Sequence, residues 1–191
     1  MKRIVLLLGT VALVAGCTEP TTTTTSPAAP STVAAHRDRD DDHDDGRVRR
    51  DLATLRRVTA PFHRFAKATE AGWSAKITPC MLNGAGAGAM GFHYGNTAYI
   101  DGQVRVDQPE LLIYEPQKNG RLRLVGVEYI VPLDAWKSAS PPRLFGQDFK
   151  VNDAFHVWAL HAWVWRENPT GIFKDWNPDV SCKATTDIMV M

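Results

Sequence analysis

Three polar side chains stand inside apolar runs of this sequence, and their types suit metal or proton chemistry. His93 lies in MGFHYGN, beside Gly, Phe and Tyr. In RLRLVGVEYIV, alternation along a strand places Glu128 on one face with Leu122, Leu124 and Ile130. If that face is the core side, Glu128 is a carboxylate in a low-dielectric setting, where an uncompensated charge is costly. In FHVWALHAWVW, His161 shares a face with Phe155, Val157, Ala159, Trp163 and Trp165. The other face, with Trp158, Leu160, Ala162 and Val164, is equally apolar, so the segment reads as a central strand or the wall of a cavity. Two imidazoles and one carboxylate form the donor set of a facial divalent-metal site with open positions. Without metal, Glu128 would serve as a proton acceptor whose pKa is raised by burial. The competing reading is a buried polar network in which Glu128 bonds His161, Tyr94 or an arginine and fixes strand register. Both readings stay open at the level of sequence. No residue is assigned a catalytic role.

Other candidate motifs fail on context. No GxSxG, HExxH or Cys-His nucleophile arrangement is present. GAGAMG, from Gly86 to Gly91, matches the dinucleotide fingerprint in letters, with Glu110 about twenty residues on. That motif needs a strand before it and a helix after it, whereas FHYGNTAYI has strand or loop character. A glycine loop that lets neighbouring backbone approach closely is the better reading. The acidic run HRDRDDDHDDG puts six aspartates between Arg37 and Gly46. Counted from Asp41 as a calcium loop, Gly46 fits the sixth place, but His43 takes the third and Leu52 the twelfth, and the pattern fails. His36, His43 and His63 fall in the tether and on a helix. Trp73, Trp136 and Trp176 lie in turns, where core packing competes with a stacking surface for a sugar or another planar ligand.

The elements that must position these residues come after a leader and a linker. Lys2 and Arg3 precede an apolar run, residues 4–14, that is too short to span a membrane. Val14-Ala15-Gly16-Cys17 then resembles the lipobox of bacterial lipoproteins. The resemblance implies cleavage after residue 16, diacylglycerol on the Cys17 sulfur and an acyl chain such as palmitate on the new N-terminus. It also implies location in the cell envelope, at the outer membrane in a host with two membranes, since Thr18 rather than Asp comes next. Residues 17–46 read as a disordered tether, because TTTTTSPAAPST offers too little apolar surface to offset the entropy of ordering. Such a chain holds the downstream domain on the order of 30 Å from the membrane. The leader carries two positive charges and the tether a net −5, so the +1 of the whole chain leaves residues 47–191 mildly basic at +4. That is too weak and dispersed for nucleic-acid binding.

Residues 47–191 have the length of one domain. Val48, Leu52, Leu55 and Val58 fall at helical spacing, and Phe62, Phe65, Ala66 and Thr69 continue the pattern past Pro61 to Gly72. The period then changes to two, predicting strands over 75–81, 111–115, 122–131 and 155–166, with Asn119-Gly120 as a hairpin turn. The pattern predicts an α+β fold, a mostly antiparallel sheet packed on one or two N-terminal amphipathic helices. With Cys17 lipidated, Cys80 and Cys182 are left, and two thiols in an oxidising compartment most simply form a disulfide.

The blocks AMGFHYGN, PELLIYEP, NGRLRLVGVEYIVP, LFGQDF and ALHAWVWRENPTGIFKDWNPDVSC together resemble a family of uncharacterised bacterial secreted proteins. The resemblance covers most of residues 70–182, and its MGxHY, GVEY and LHxW blocks hold His93, Glu128 and His161. It implies a shared domain and no particular activity. The combined expectation is a lipid-anchored envelope protein that binds a small molecule, a glycan or an envelope component without catalysis. A divalent metal is the candidate cofactor. A metal-dependent or acid-base enzyme using His93, Glu128 and His161 is one alternative, and a purely structural envelope protein is the other.

Overall fold

A computed structural model describes the backbone of residues 32–191 and the side chains from residue 44 onward. The leader 1–16, the lipidation site Cys17 and residues 18–31 of the expected tether lie outside the described residues. Helix α1 (Thr32–Thr59) begins within the segment read as tether. Among the described side chains of this helix, Asp44 pairs with Arg47 at 2.7 Å, at i,i+3 spacing. A 3-10 turn (Ala60–His63) carrying Pro61 in its first positions redirects the chain into α2 (Phe65–Glu70). Val48, Leu52 and the fully buried Leu55 face the sheet, and the next position inward is Thr59 rather than Val58. Thr59 donates its hydroxyl hydrogen to Leu55 O and accepts from Trp165 Nε1, so a polar group ends this apolar stripe without being orphaned.

The strands are β1 (Ala75–Leu82), β2 (Ala89–Gly95), β3 (Leu111–Pro116), β4 (Leu122–Pro132), β5 (Arg143–Leu144), β6 (Gln147–Asp148), β7 (Lys150–Asn152), β8 (Val157–Ala162) and β9 (Ile188–Val190). Seven of them form one sheet in the order β7-β8-β4-β3-β2-β1-β9, while β5 and β6 make a separate hairpin. All pairings in the large sheet are antiparallel except β1 with β9. The α+β expectation is therefore met: an antiparallel meander with helices on one face.

Three details differ from the sequence pattern. The strand expected over 155–166 is shorter and lies one place in from the sheet edge, so β3 and β4 occupy the centre. It ends at Ala162, where Trp163 N turns away to Ile172 O and Val164 N folds back on Ala162 O. That turn carries Trp165 to the helical face, away from His161. On β4, the register slips between the Ile113–Gly126 and Tyr114–Leu124 pairs. This bulge changes the alternation, so Leu124 joins Val127, Tyr129 and Val131 under the helices instead of sharing a face with Glu128. Finally, β2 and β9 carry no period-two signal strong enough to mark them as strands.

The two faces of the sheet have different fates. Tyr114, Leu124, Val127, Tyr129, Leu160 and Ala162 pack under α1, the 3-10 turn and α2. The other face curls on itself, with Leu111, Ile113, Ile130 and Ala159 lining the concavity. Cys80 on β1 and Cys182 in the C-terminal loop form a disulfide across 102 positions of sequence. The bond pins the loop after β8 to the far side of the sheet. Buried Glu115 adds to it by accepting the Ser181 amide at 3.0 Å.

Candidate metal centre

His93, Glu128 and His161 stand on three different strands and point into the same concavity. Register explains how. On β3, Leu111 pairs with Glu128 and Ile113 pairs with His93, while across β8 Glu128 pairs directly with His161. His93 and Glu128 are thus two strands apart, a backbone separation of about 10 Å in a flat sheet. The curl and the length of the two side chains close it to 3.4 Å between His93 Nε2 and Glu128 Oε2. Gly91 assists the bend. Its φ is +99°, and a Cβ there would lie 2.5 Å from Tyr114 O, so only glycine lets β2 come this close to β3.

One ligand atom from each residue lies within 4.8 Å of the others, and all three residues are buried. Glu128 Oε1 is 3.7 Å from His161 Nε2. These separations are too long for good hydrogen bonds. They approach the roughly 3–3.5 Å between donor atoms that sit about 2.0–2.2 Å from a shared ion. His93 Nε2 and both ring nitrogens of His161 are buried with no hydrogen-bond partner. An orphaned buried polar atom costs about 1–3 kcal/mol, so several converging on one carboxylate call for a shared partner.

The outer contacts orient the rings. Thr78 Oγ1 lies 2.8 Å from His93 Nδ1. A proton on Nδ1 donated to that hydroxyl leaves the Nε2 lone pair aimed at Glu128. Asp175 Oδ1 stands 3.8 Å from His161 Nδ1 on the side away from Glu128, and the other oxygen of that carboxylate, Oδ2, accepts from Lys150 Nζ at 3.0 Å. A carboxylate behind the outer nitrogen of a ligating histidine is a recurrent support in metal sites. Trp163 stacks on His161, with ring planes 14° apart.

Electrostatics favours neutral imidazoles. Burial pushes His93 down to about 3, with His161 adding to the shift. Burial and then the Lys150 charge bring His161 to about 3 as well. Glu128 moves the other way, to about 8, through burial followed by the Asp175 and Glu110 charges. Metal binding requires deprotonated imidazole nitrogens, so both histidines are ready at neutral pH, and Glu128 is the one group that must release a proton. The group could hold a metal ion.

Glu128 and His161, singled out by alternation, and His93, noted for its apolar neighbours, are the residues the fold brings together. The orienting partners Thr78 and Asp175 carry no sequence signal, since both lie in ordinary strand and loop context, far from the triad along the chain. Spacing ties Glu110 only to a glycine motif, yet it is a fully buried carboxylate. Its Oε2 accepts the Ile130 amide at 3.1 Å, replacing a ladder partner where β3 has not yet begun. Burial raises its pKa to about 8. The glycine motif itself runs into β2 rather than a helix, and a Cβ on Gly88 would lie 2.2 Å from Asn177 O. The close approach expected there is to the chain's own backbone. Of the turn tryptophans, Trp73 is buried and donates to Pro109 O, Trp136 packs against the helical core, and Trp176 lines a cavity beside His161.

No family model matches this chain, and neither a curated protein nor a solved structure matches it.

Proposed function

We propose that this protein binds a first-row divalent metal ion through His93, Glu128 and His161, and that it does so at the cell envelope on a lipid anchor. The observation that carries the metal reading is the set of buried, unpartnered imidazole nitrogens converging on one carboxylate at distances longer than hydrogen bonds. A buried network that served only to fix strand register would leave those nitrogens satisfied. Two nitrogens and one carboxylate from three strands would hold such an ion as a facial donor set with open positions. A bound ion would supply Lewis acidity there, held by His93, Glu128 and His161 and with the His93 ring oriented by Thr78.

The anchor rests on separate observations: the positive start, the short apolar run and the VAGC sequence ending at Cys17. The Cys80–Cys182 disulfide agrees with an oxidising compartment. Among the described residues, no helix is long and apolar enough to cross a membrane, so attachment through lipid is consistent with the fold. Metabolic labelling with palmitate tests this part: the wild type is expected to take up label in the membrane fraction, and Cys17→Ser to lose both label and membrane association. Label retained in Cys17→Ser would overturn the anchor. The metal reading is tested by stripping the purified protein with chelator and titrating it with Zn²⁺ or Co²⁺, with one ion per chain expected.

A further inference from the structure

Beside the triad lies a slot of about 140 Å³ whose wall includes His93 and Glu128. Its remaining lining is largely apolar, from Met81, Met90, Leu111, Ile130 and Val157. At its mouth stand Ile77 and Phe155, two of the few large apolar side chains exposed among the described residues, 40% and 38% accessible. An apolar cavity of about 150 Å³ is large enough to take a benzene molecule and stays dry without one. This slot is therefore sized for a ring or a short branched chain. The charge balance at its inner end specifies the other part of the occupant. A divalent ion less the single charge of Glu128 leaves one positive charge among buried groups, and a buried charge demands a counter-charge.

We propose that the slot holds a small monoanion with a compact apolar body, whose acidic head coordinates the ion at an open position while its body fills the space between Leu111, Ile130 and Val157. This assignment rests on the metal reading of His93, Glu128 and His161. The occupant is a carboxylate or a similar acid, about as large as benzoate. Specificity divides accordingly: the head is read by the ion, and the body by a wall that is mostly apolar, with Thr78 and Asn152 its polar members besides the triad.

Benzoate and acetate carry the same head and charge and differ only in the apolar body, so they separate the two contributions. The protein is loaded with Co²⁺, whose visible bands report changes in coordination, and each acid is titrated in. Benzoate is expected to perturb the bands at a concentration at least about tenfold lower than acetate, because it alone buries apolar surface. Val157→Phe fills the slot away from the ligands and is expected to keep Co²⁺ bound while abolishing the preference. Ile77→Trp, at the exposed mouth, provides the same test should Val157→Phe fail to fold. Co²⁺ bands that respond equally to both acids, or to neither, overturn the slot assignment and leave the metal reading intact. A preference for benzoate that survives in the filled variant also overturns it. Absence of Co²⁺ bands in the wild type overturns both.

Discussion

At the scale of single residues, the triad divides its work by protonation state. Burial keeps His93 and His161 near 3, so both rings are neutral through the physiological range. Glu128, raised to about 8, is the proton-linked ligand. Metal affinity is therefore expected to rise by up to about tenfold per pH unit between pH 6 and 8 and to flatten above that, as one proton leaves for each ion bound. Titrations at fixed pH values check this, and Glu128→Gln should weaken binding by more than about 100-fold and remove the slope. The metal-free protein has the opposite problem. Its histidines lose protons on folding, so stability falls as pH drops below the unfolded value of 6.5 toward 3. Glu128 and Glu110 gain protons on folding, so stability also falls as pH rises from 4.5 through about 8. Urea midpoints of the metal-free protein should then peak between about pH 4.5 and 6.5. The orienting partners are expected to matter less than the ligands: Thr78→Val and Asp175→Asn should each cost about 10–100-fold in affinity. Glu128 and His161 are legible in the sequence because each breaks an apolar alternation, and His93 because it is a lone imidazole beside Gly, Phe and Tyr. Thr78 and Asp175 are not, since a threonine in a strand and an aspartate in a loop are unremarkable until a ring turns its outer nitrogen toward them.

At the scale of elements, the site depends on a curl that no local pattern reveals. The helices are legible from Leu52 and Leu55, and β1, β3 and β4 from their alternation. What escapes is the bulge that moves Leu124 to the helical face and the early end of β8 at Ala162. Both are set by pairing with partners distant in sequence, and hydrophobic period carries no information about them. Strand β2 is obscured because its glycines, required for close approach, dilute the strand signal. Gly91 concentrates that dependence. Gly91→Ala places a side chain in a conformation costing about 1–3 kcal/mol and drives its Cβ toward Tyr114 O. It is expected to lower the urea midpoint and, by displacing His93 two residues on, to weaken metal binding more than its stability cost alone would explain. The loop after β8 is the second dependent element. It carries Asp175 and is tied down by Cys182, and the disulfide limits the unfolded chain by roughly 4–5 kcal/mol in the entropic account. Replacing both Cys80 and Cys182 with alanine should lose stability on that order and reduce metal affinity several-fold through Asp175, measured by denaturation and metal titration on the same samples.

At the scale of the whole molecule, one sheet separates two tasks. Its helical face is a conventional apolar core. Its concave face buries three ionisable groups, beside a C-terminal loop that the disulfide ties to β1. Keeping unpaired imidazoles there costs stability that bound metal returns, since any ligand specific to the folded state stabilises it by mass action. The central claim is that one ion is held by three named side chains, and metal titration of chelator-stripped protein followed by elemental analysis tests it most directly. The expected result is one Zn²⁺ or Co²⁺ per wild-type chain, a raised unfolding temperature, and loss of both effects in His93→Ala and in His161→Ala, with both variants still folded. Wild-type protein that takes up no ion, or His93→Ala and His161→Ala variants that bind as tightly as the wild type, would contradict it.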